Sequence, residues 1–196
     1  VKNETLTTES LALRARYDEE PSHSDHVAAL ALQIFDGLRS WHKMGERSRE
    51  LLLAAALLHD IGWSQTPDGK GHHKWSAKLI REYAWNHLSP EEILLIAQVA
   101  RYHRKAPPEP DHEDFAALKA PAQKAVMVLG GILRLADALD RTHTGKITRL
   151  EAAAEDKALV IRVKPAGTWD AEFAMFETKR DMLQRAADRP VTCKEM

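Results

Sequence analysis

The sequence predicts a mainly α fold: a helical bundle over residues 1–146 and a small α+β appendage (a β-hairpin plus a helix) over 147–196. Three observations carry this. Apolar residues recur at helical spacing through most of the first 140 positions. Two stretches, 47–60 and 123–141, are apolar nearly all round, as helices at the centre of a bundle are. After 147 the pattern changes to short β-branched runs bounded by turn residues. A chain of 196 residues, 44% hydrophobic, is long enough for one real core.

Each element has its own local signal. Val27, Leu30, Ala31, Ile34, Leu38 and Trp41 form one stripe of a helix over 23–42. Leu51–Leu58 fill the helix over 47–60, and Gly62 supplies a stop just beyond it. Residues 64–71 read as a loop by composition. Ala77, Leu79, Ile80, Tyr83 and Ala84 mark a helix over about 73–87. Ser89-Pro90-Glu91-Glu92 is a strong helix start, with a capping serine, proline at the first helical position and acids at the positive dipole end. That helix runs to about Arg101. Residues 106–122 carry Pro107, Pro108, Pro110 and Pro121 and read as a long surface connection. In the appendage, Ala158–Val163 and Ala171–Phe176 read as two strands joined through Pro165 and Gly167. Residues 177–188 read as a helix before a polar tail.

Composition narrows the function classes. A formal net charge of −1 gives no excess that points to a nucleic acid duplex or a membrane surface. No apolar run approaches the roughly 18 residues that span a bilayer. Val1-Lys2-Asn3-Glu4 lacks the basic-then-apolar order of a signal peptide. The single cysteine, Cys193, has no internal partner, which fits a reducing compartment. A cytoplasmic protein is the expectation.

Three positions stand out against the apolar pattern. His59-Asp60 ends the most apolar helix, where an aspartate opposes the negative end of the helix dipole. An aspartate in apolar surroundings needs a partner or a metal. Asp137 sits within Ile132–Leu139, where Arg134 or Arg141 could pair with it. His26 shares a helical face with Leu30, one turn after His23; alone it reads as structural. Together, His26, His59, Asp60 and Asp137 make a nitrogen and oxygen donor set for Mn, Fe, Co, Ni or Zn. Three helices of a bundle can aim such ligands at one point.

Two histidine clusters lie between these anchors, His72-His73-Lys74 and His103-Arg104-Lys105. Each reads either as a solvated helix end or as part of a second metal position with a basic rim. Two ions can clamp the attacking and leaving oxygens of a phosphoryl displacement, with arginine and lysine on the remaining oxygens. No P-loop or dinucleotide glycine fingerprint is present. His42, His87, His112 and His143 fit no ligand spacing and read as surface residues.

The order His … His-Asp … Asp resembles the HD (histidine–aspartate) superfamily. Five segments in order resemble one branch of it: His26-Val27, Ala55–Gly62, Gly71–Ser76, Arg101–Lys105 and Ile132–Arg141. That branch is the C-terminal HD-like domain of the exopolyphosphatase / guanosine pentaphosphate phosphohydrolase family, and the likeness covers about residues 10–185. It implies His26, His59, Asp60 and Asp137 as ligands of one metal, with Asp60 able to bridge to a second held by His72 and His103; His73 is the alternative in its pair. The actin-like ATPase domains that cleave polyphosphate in that family are not in these residues, so activity by that mechanism does not transfer. Trp75 stands where the family often has histidine. Ala106–Pro110 replaces the Gly-Tyr-Pro signature of relatives that hydrolyse cyclic dinucleotides.

The expectation is a metal-dependent phosphohydrolase with one or two ions, acting on a phosphorylated small molecule such as a nucleotide or polyphosphate. Asp60 would orient the attacking water and help accept its proton. His73, Arg104, Lys105 and Arg141 would bind the substrate and neutralise developing charge. The alternative is a non-catalytic HD-like module that binds a nucleotide, a polyphosphate or a partner protein. The appendage is expected to be non-catalytic, covering the core or offering a strand edge to a homodimer.

Overall fold

The computed structural model describes residues 2–196, with side chains from Leu6 onward. The expected bundle is present. Helix α1 spans Lys2–Arg14 and buries Leu6 and Leu13, two turns apart. The stripe expected over 23–42 forms α2 (Pro21–Gly37) and a short α3 (Arg39–His42), separated at Leu38. Helix α4 (Glu46–Leu58) runs through the centre, with Leu52, Ala55, Ala56 and Leu58 fully buried. A 3₁₀ turn (Ile61–Gln65) follows.

Helix α5 (His72–Glu82) stops five residues short of expectation, because Tyr83 turns extended and the Trp85 indole donates to the carbonyl of Ile80. Helix α6 (Pro90–Arg101) starts where its capping signal lies. The Ser89 hydroxyl accepts from the Glu92 amide, and the Glu92 carboxylate accepts from the Ser89 amide. The proline-rich connection carries one turn of helix, α7 (Glu113–Ala116), and ends in α8 (Ala120–Ala138), which packs against α2, α4 and α6.

The appendage differs from expectation in one element. Ala171–Phe176 is not a strand but part of α9 (Asp170–Lys179). Strand alternation would put Phe173 and Met175 on one face. Instead Glu172 and Phe176, four apart, face inward, while Phe173 is 40% exposed. Asp170 and Glu172 lie at the positive end of the helix and Lys179 in its last turn, which favours the helix. Helix α10 (Asp181–Ala187) follows.

The other expected strand, Ala158–Val163, is real, as β2 (Leu159–Pro165), but its partners lie elsewhere in the chain. It pairs antiparallel with β1 (Ile147–Ala154) and parallel with β3 (Val191–Glu195), which forms from the tail read as polar. One buried core runs across residue 146 without a break, joining Ile132 and Leu135 of α8 to Ile161, Phe176 and Leu183. Among the described residues no helix is long and apolar enough to cross a membrane.

Helix α10 lies against α8 so closely that a Cβ on Gly131 would stand 2.9 Å from the backbone of Leu183. At Gly130 the same atom would meet only the terminal methyl of Met182, at 2.6 Å. Backbone cannot yield as a side-chain end can. Gly131→Ala should therefore destabilise the fold by about 1–3 kcal/mol and Gly130→Ala by clearly less. Urea denaturation midpoints of the two variants check the order.

Candidate metal centre

The apolar run of α4 places His59 and Asp60 at the middle of the molecule, where α2, α5, α6 and α8 converge. His59 is fully buried, and its Nδ1–H donates to the carbonyl of Ala56 at 2.7 Å. The Nδ1–H of His72 donates to Gly69 at 2.7 Å, and that of His103 to Ala100 at 2.6 Å. A carbonyl can only accept, so each ring carries its proton on Nδ1, and in the neutral form its Nε2 bears a lone pair. His23 is held by a carboxylate instead, its Nδ1 lying 2.8 Å from Oδ2 of Asp140. Asp140 in turn accepts from the amide of Gly145 at 2.8 Å.

The free ring nitrogens converge on two carboxylates. His23, His59 and Asp137 form one group able to hold a metal ion, and Asp60, His72 and His103 form another. Oδ1 of Asp60 lies 3.3 Å from Nε2 of His72 and 3.4 Å from Nε2 of His103, and those two nitrogens are 3.4 Å apart. Oδ2 of Asp60 faces the other group, 3.6 Å from Nε2 of His59 and 3.9 Å from Nε2 of His23. Oδ1 of Asp137 stands 3.5 Å from His23 and 3.8 Å from His59.

Where a ring is neutral, its Nε2 lone pair faces a carboxylate lone pair and the contact is not a hydrogen bond. The Nε2 atoms of His23 and His59 and Oδ1 of Asp60 are buried without a hydrogen-bond partner. Such groups are costly unless a cation joins them. Donor atoms sharing a divalent ion at bond lengths of about 2.1 Å stand roughly 3.0–3.4 Å apart, which the Asp60–His72–His103 group matches. The buried His/Asp groups can thus hold metal.

The electrostatics agree. Burial works against ionising Asp60, but the imidazoles of His59, His72 and His103 outweigh it and hold the carboxyl well below the usual carboxylate range. Burial likewise opposes ionisation of Asp137, and His23 overcomes it, leaving a value of about 2. Burial pushes His103 down to about 3 against the attraction of Asp60, so the ring is neutral and fit to ligate. Burial disfavours a charge on His23 too, but Asp137 and Asp140 outweigh it and raise the group to about 10.

The histidine of α2 that faces the centre is His23, not His26. The two lie about 60° apart around the helix, so spacing does not choose between them. Burial does: His23 is 3% exposed and held by Asp140. His26 is half-buried and outside both groups, though its Nε2 also lacks a partner. His59, Asp60, Asp137, His72 and His103 lie together at this centre. Arg134 does not neutralise Asp137. Its guanidinium donates to the carbonyls of Tyr102, Lys105 and Lys179 and to the Asp181 carboxylate.

Beside the centre, Arg104, Arg141 and Lys179 line one cleft with Asp60, His72, His103 and Asp137. Lys105 lines the neighbouring hollow with Arg104 and His73. His73 is buried and lowered to about 4 by that burial and by His72 and nearby cations, so it offers hydrogen bonding rather than charge. Three contributors are absent from the sequence reading. His143, read there as surface, stacks on His23 with ring centroids 3.7 Å apart. Trp63 stacks on His72 at 4.6 Å. Lys179 reaches the cleft from the appendage, its pKa lowered to about 8 by burial and by Arg134. Asp140, three residues after Asp137, holds the Nδ1 of His23.

Loss of a residue that orients a metal-binding histidine typically costs roughly 10–100-fold in affinity. Asp140→Asn should weaken metal binding by that factor and His23→Ala by at least as much. His26→Ala should leave it within about threefold. Equilibrium dialysis with Mn or Ni checks this, and equal loss in His23→Ala and His26→Ala would contradict the placement. A pH effect also follows. Below about 10 the cation-free His23 carries an extra proton, which an ion at Nε2 must displace. Affinity should therefore rise with pH, by up to about tenfold per unit for one released proton. Calorimetry in buffers of different ionisation enthalpy should detect that proton.

No curated protein matches the sequence. Residues 5–184 match the family model described as Ppx/GppA phosphatase, domain III. With nearly all of the chain matched, the protein belongs to the Ppx/GppA phosphatase family, of which it represents domain III.

Proposed function

We propose that the chain is a metal-dependent phosphohydrolase of the HD type, acting on an ester or anhydride of a phosphorylated small molecule. The observation that carries this is Asp60. Its two oxygens face two groups of ring nitrogens, beside a cleft lined by Arg104, Arg141 and Lys179. His23, His59 and Asp137 would hold one ion, and His72 and His103 a second, with Asp60 shared between them. Divalent ions held there supply Lewis acidity, polarising a phosphoryl oxygen and making water a competent nucleophile near neutral pH.

The protein's own groups do the rest. Asp60 and Asp137 balance the positive charge and accept hydrogen bonds from the attacking water. The depressed pKa of Asp60 suits it to holding ions and orienting that water more than to keeping a proton. Arg104 and Arg141 present guanidinium forks that bind non-bridging oxygens. Lys179, at about 8, is cationic at pH 7 and can donate a proton to a departing oxygen from its Nζ.

The test is protein stripped of metal and reloaded with Mn, Co or Ni, assayed on p-nitrophenyl phosphate, a phosphodiester, nucleotides and polyphosphates. Turnover should depend on added metal. Asp60→Asn should reduce kcat by more than the roughly 10–100-fold typical for an outer partner of a ligand. Arg104→Ala should act mainly on KM. Metal uptake without turnover of any substrate would sink the catalytic reading.

A further inference from the structure

One wall of the site is acidic and belongs to neither group of metal-binding residues. It bounds a cavity of about 260 Å³ and consists of Asp18, Glu19 and Glu20, with Tyr17 and Trp63 beside them. No lysine or arginine lines this cavity. It reaches the centre itself, since Asp60 and the buried His23, whose Nε2 has no partner, are part of its lining. The three acids are incompletely neutralised. Asp18 accepts from the Glu20 amide at 2.9 Å and from the Ser24 hydroxyl at 2.7 Å. Glu20 pairs with His143 at 2.8 Å. Glu19 is exposed, with no basic partner among the described residues. Ions at the centre would engage Asp60 and His23, whereas the wall keeps its net negative charge.

The adjoining cleft has the opposite character. Arg104, Arg141 and Lys179 line it, and none of them has a carboxylate partner among the described residues. The two spaces share Asp60, Trp63 and His143, so a ligand at the centre touches both. Its phosphoryl group belongs on the cationic side. Whatever lies on the acidic side meets negative charge in a partly enclosed space, where screening is weak. A second anion is repelled there. An uncharged alkyl group displaces water from the carboxylates and returns nothing to them. An ammonium group gives them charge-assisted hydrogen bonds. Trp63 adds an aromatic face, 46% exposed and backed by His72, and such faces attract cations.

We propose that the site takes a phosphorylated amine, a compact zwitterion. Its phosphoryl group faces Arg104, Arg141 and Lys179, and its ammonium lies between Trp63 and the Asp18–Glu20 wall. This deepens the phosphohydrolase reading and rests on it for the chemistry, but binding tests it separately. In the hydrolysis, the water oxygen bonds to phosphorus and the bond from phosphorus to the aminoalkyl oxygen breaks. That oxygen leaves with a proton, so the products are phosphate and an amino alcohol. The probes are 3-aminopropylphosphonate and butylphosphonate, which differ only in an ammonium against a methyl group and whose carbon–phosphorus bond resists hydrolysis. Titrated calorimetrically into Mn-equilibrated protein, the amine should bind about tenfold or more tightly than its neutral counterpart. Glu19→Lys should cut that ratio to about threefold or less by weakening the amine alone, and Trp63→Ala should lower it as well. A ratio of about threefold or less in the unaltered protein, a ratio that either substitution leaves unchanged, or no binding of either probe would overturn the assignment. A preserved preference without turnover of any substrate defeats the phosphohydrolase reading alone. Turnover of p-nitrophenyl phosphate with no preference for the amine defeats this one alone.

Discussion

Asp60 is an ionised carboxylate set among imidazoles whose Nδ1 protons are already committed. Three backbone carbonyls and the Asp140 carboxylate hold those protons, so the Nε2 edges of His23, His59, His72 and His103 turn inward. Much of the fold serves this arrangement. Helix α4 is apolar enough to be central, which puts His59 and Asp60 in a dry place. Helices α5 and α6 each deliver a histidine near one end, where its ring can reach a carbonyl one turn back. Gly62 lets the turn after α4 touch α5; a Cβ there would stand 2.1 Å from the carbonyl of His72. The backbone of Gly62 is also tied to the Ser76 hydroxyl at 2.9 Å. The position of His72 is thus fixed from both directions.

The helices were legible because the bundle obeys simple periodicity and one capping box. His59, Asp60 and Asp137 were legible because they violate that periodicity: polar groups in apolar runs demand partners. His23 against His26 was not decidable, since both lie near the same face and the choice rests on Asp140, more than a hundred residues away. The appendage defeated the alternation rule. Ala171–Phe176 is too short for period 2 to be separated from period 3.6, and burial of Glu172 against Thr142 and Lys146 inverts the naive inside and outside. Strands β1 and β3 gain their identity from β2, a pairing that neither segment announces alone.

Trp63, His143 and Lys179 belong to a different category. Each is an ordinary residue in its local context, and each becomes part of the cleft only through tertiary placement. His143 has a positive φ of 54°, in a turn that brings its ring onto His23. Lys179 ends a helix that packs on α8 from the far end of the chain. What sequence inspection finds is chemistry already marked by local conflict; what it misses is chemistry assembled by packing.

The buried guanidinium of Arg134 joins regions that seem unrelated in the chain. It binds carbonyls in the 102–105 segment and at Lys179 together with the Asp181 carboxylate, while its own helix carries Asp137 one turn later. The cationic wall of the cleft and the C-terminal helices therefore share one anchor. Releasing either would strand a buried charge, so the two open as one cooperative unit rather than fraying separately. A disturbance of the C-terminal helices would be transmitted to the 102–105 segment, which carries His103 as well as Arg104 and Lys105. The distal end of the chain is thereby tied to the one segment that carries both part of the cationic wall and a histidine of the centre.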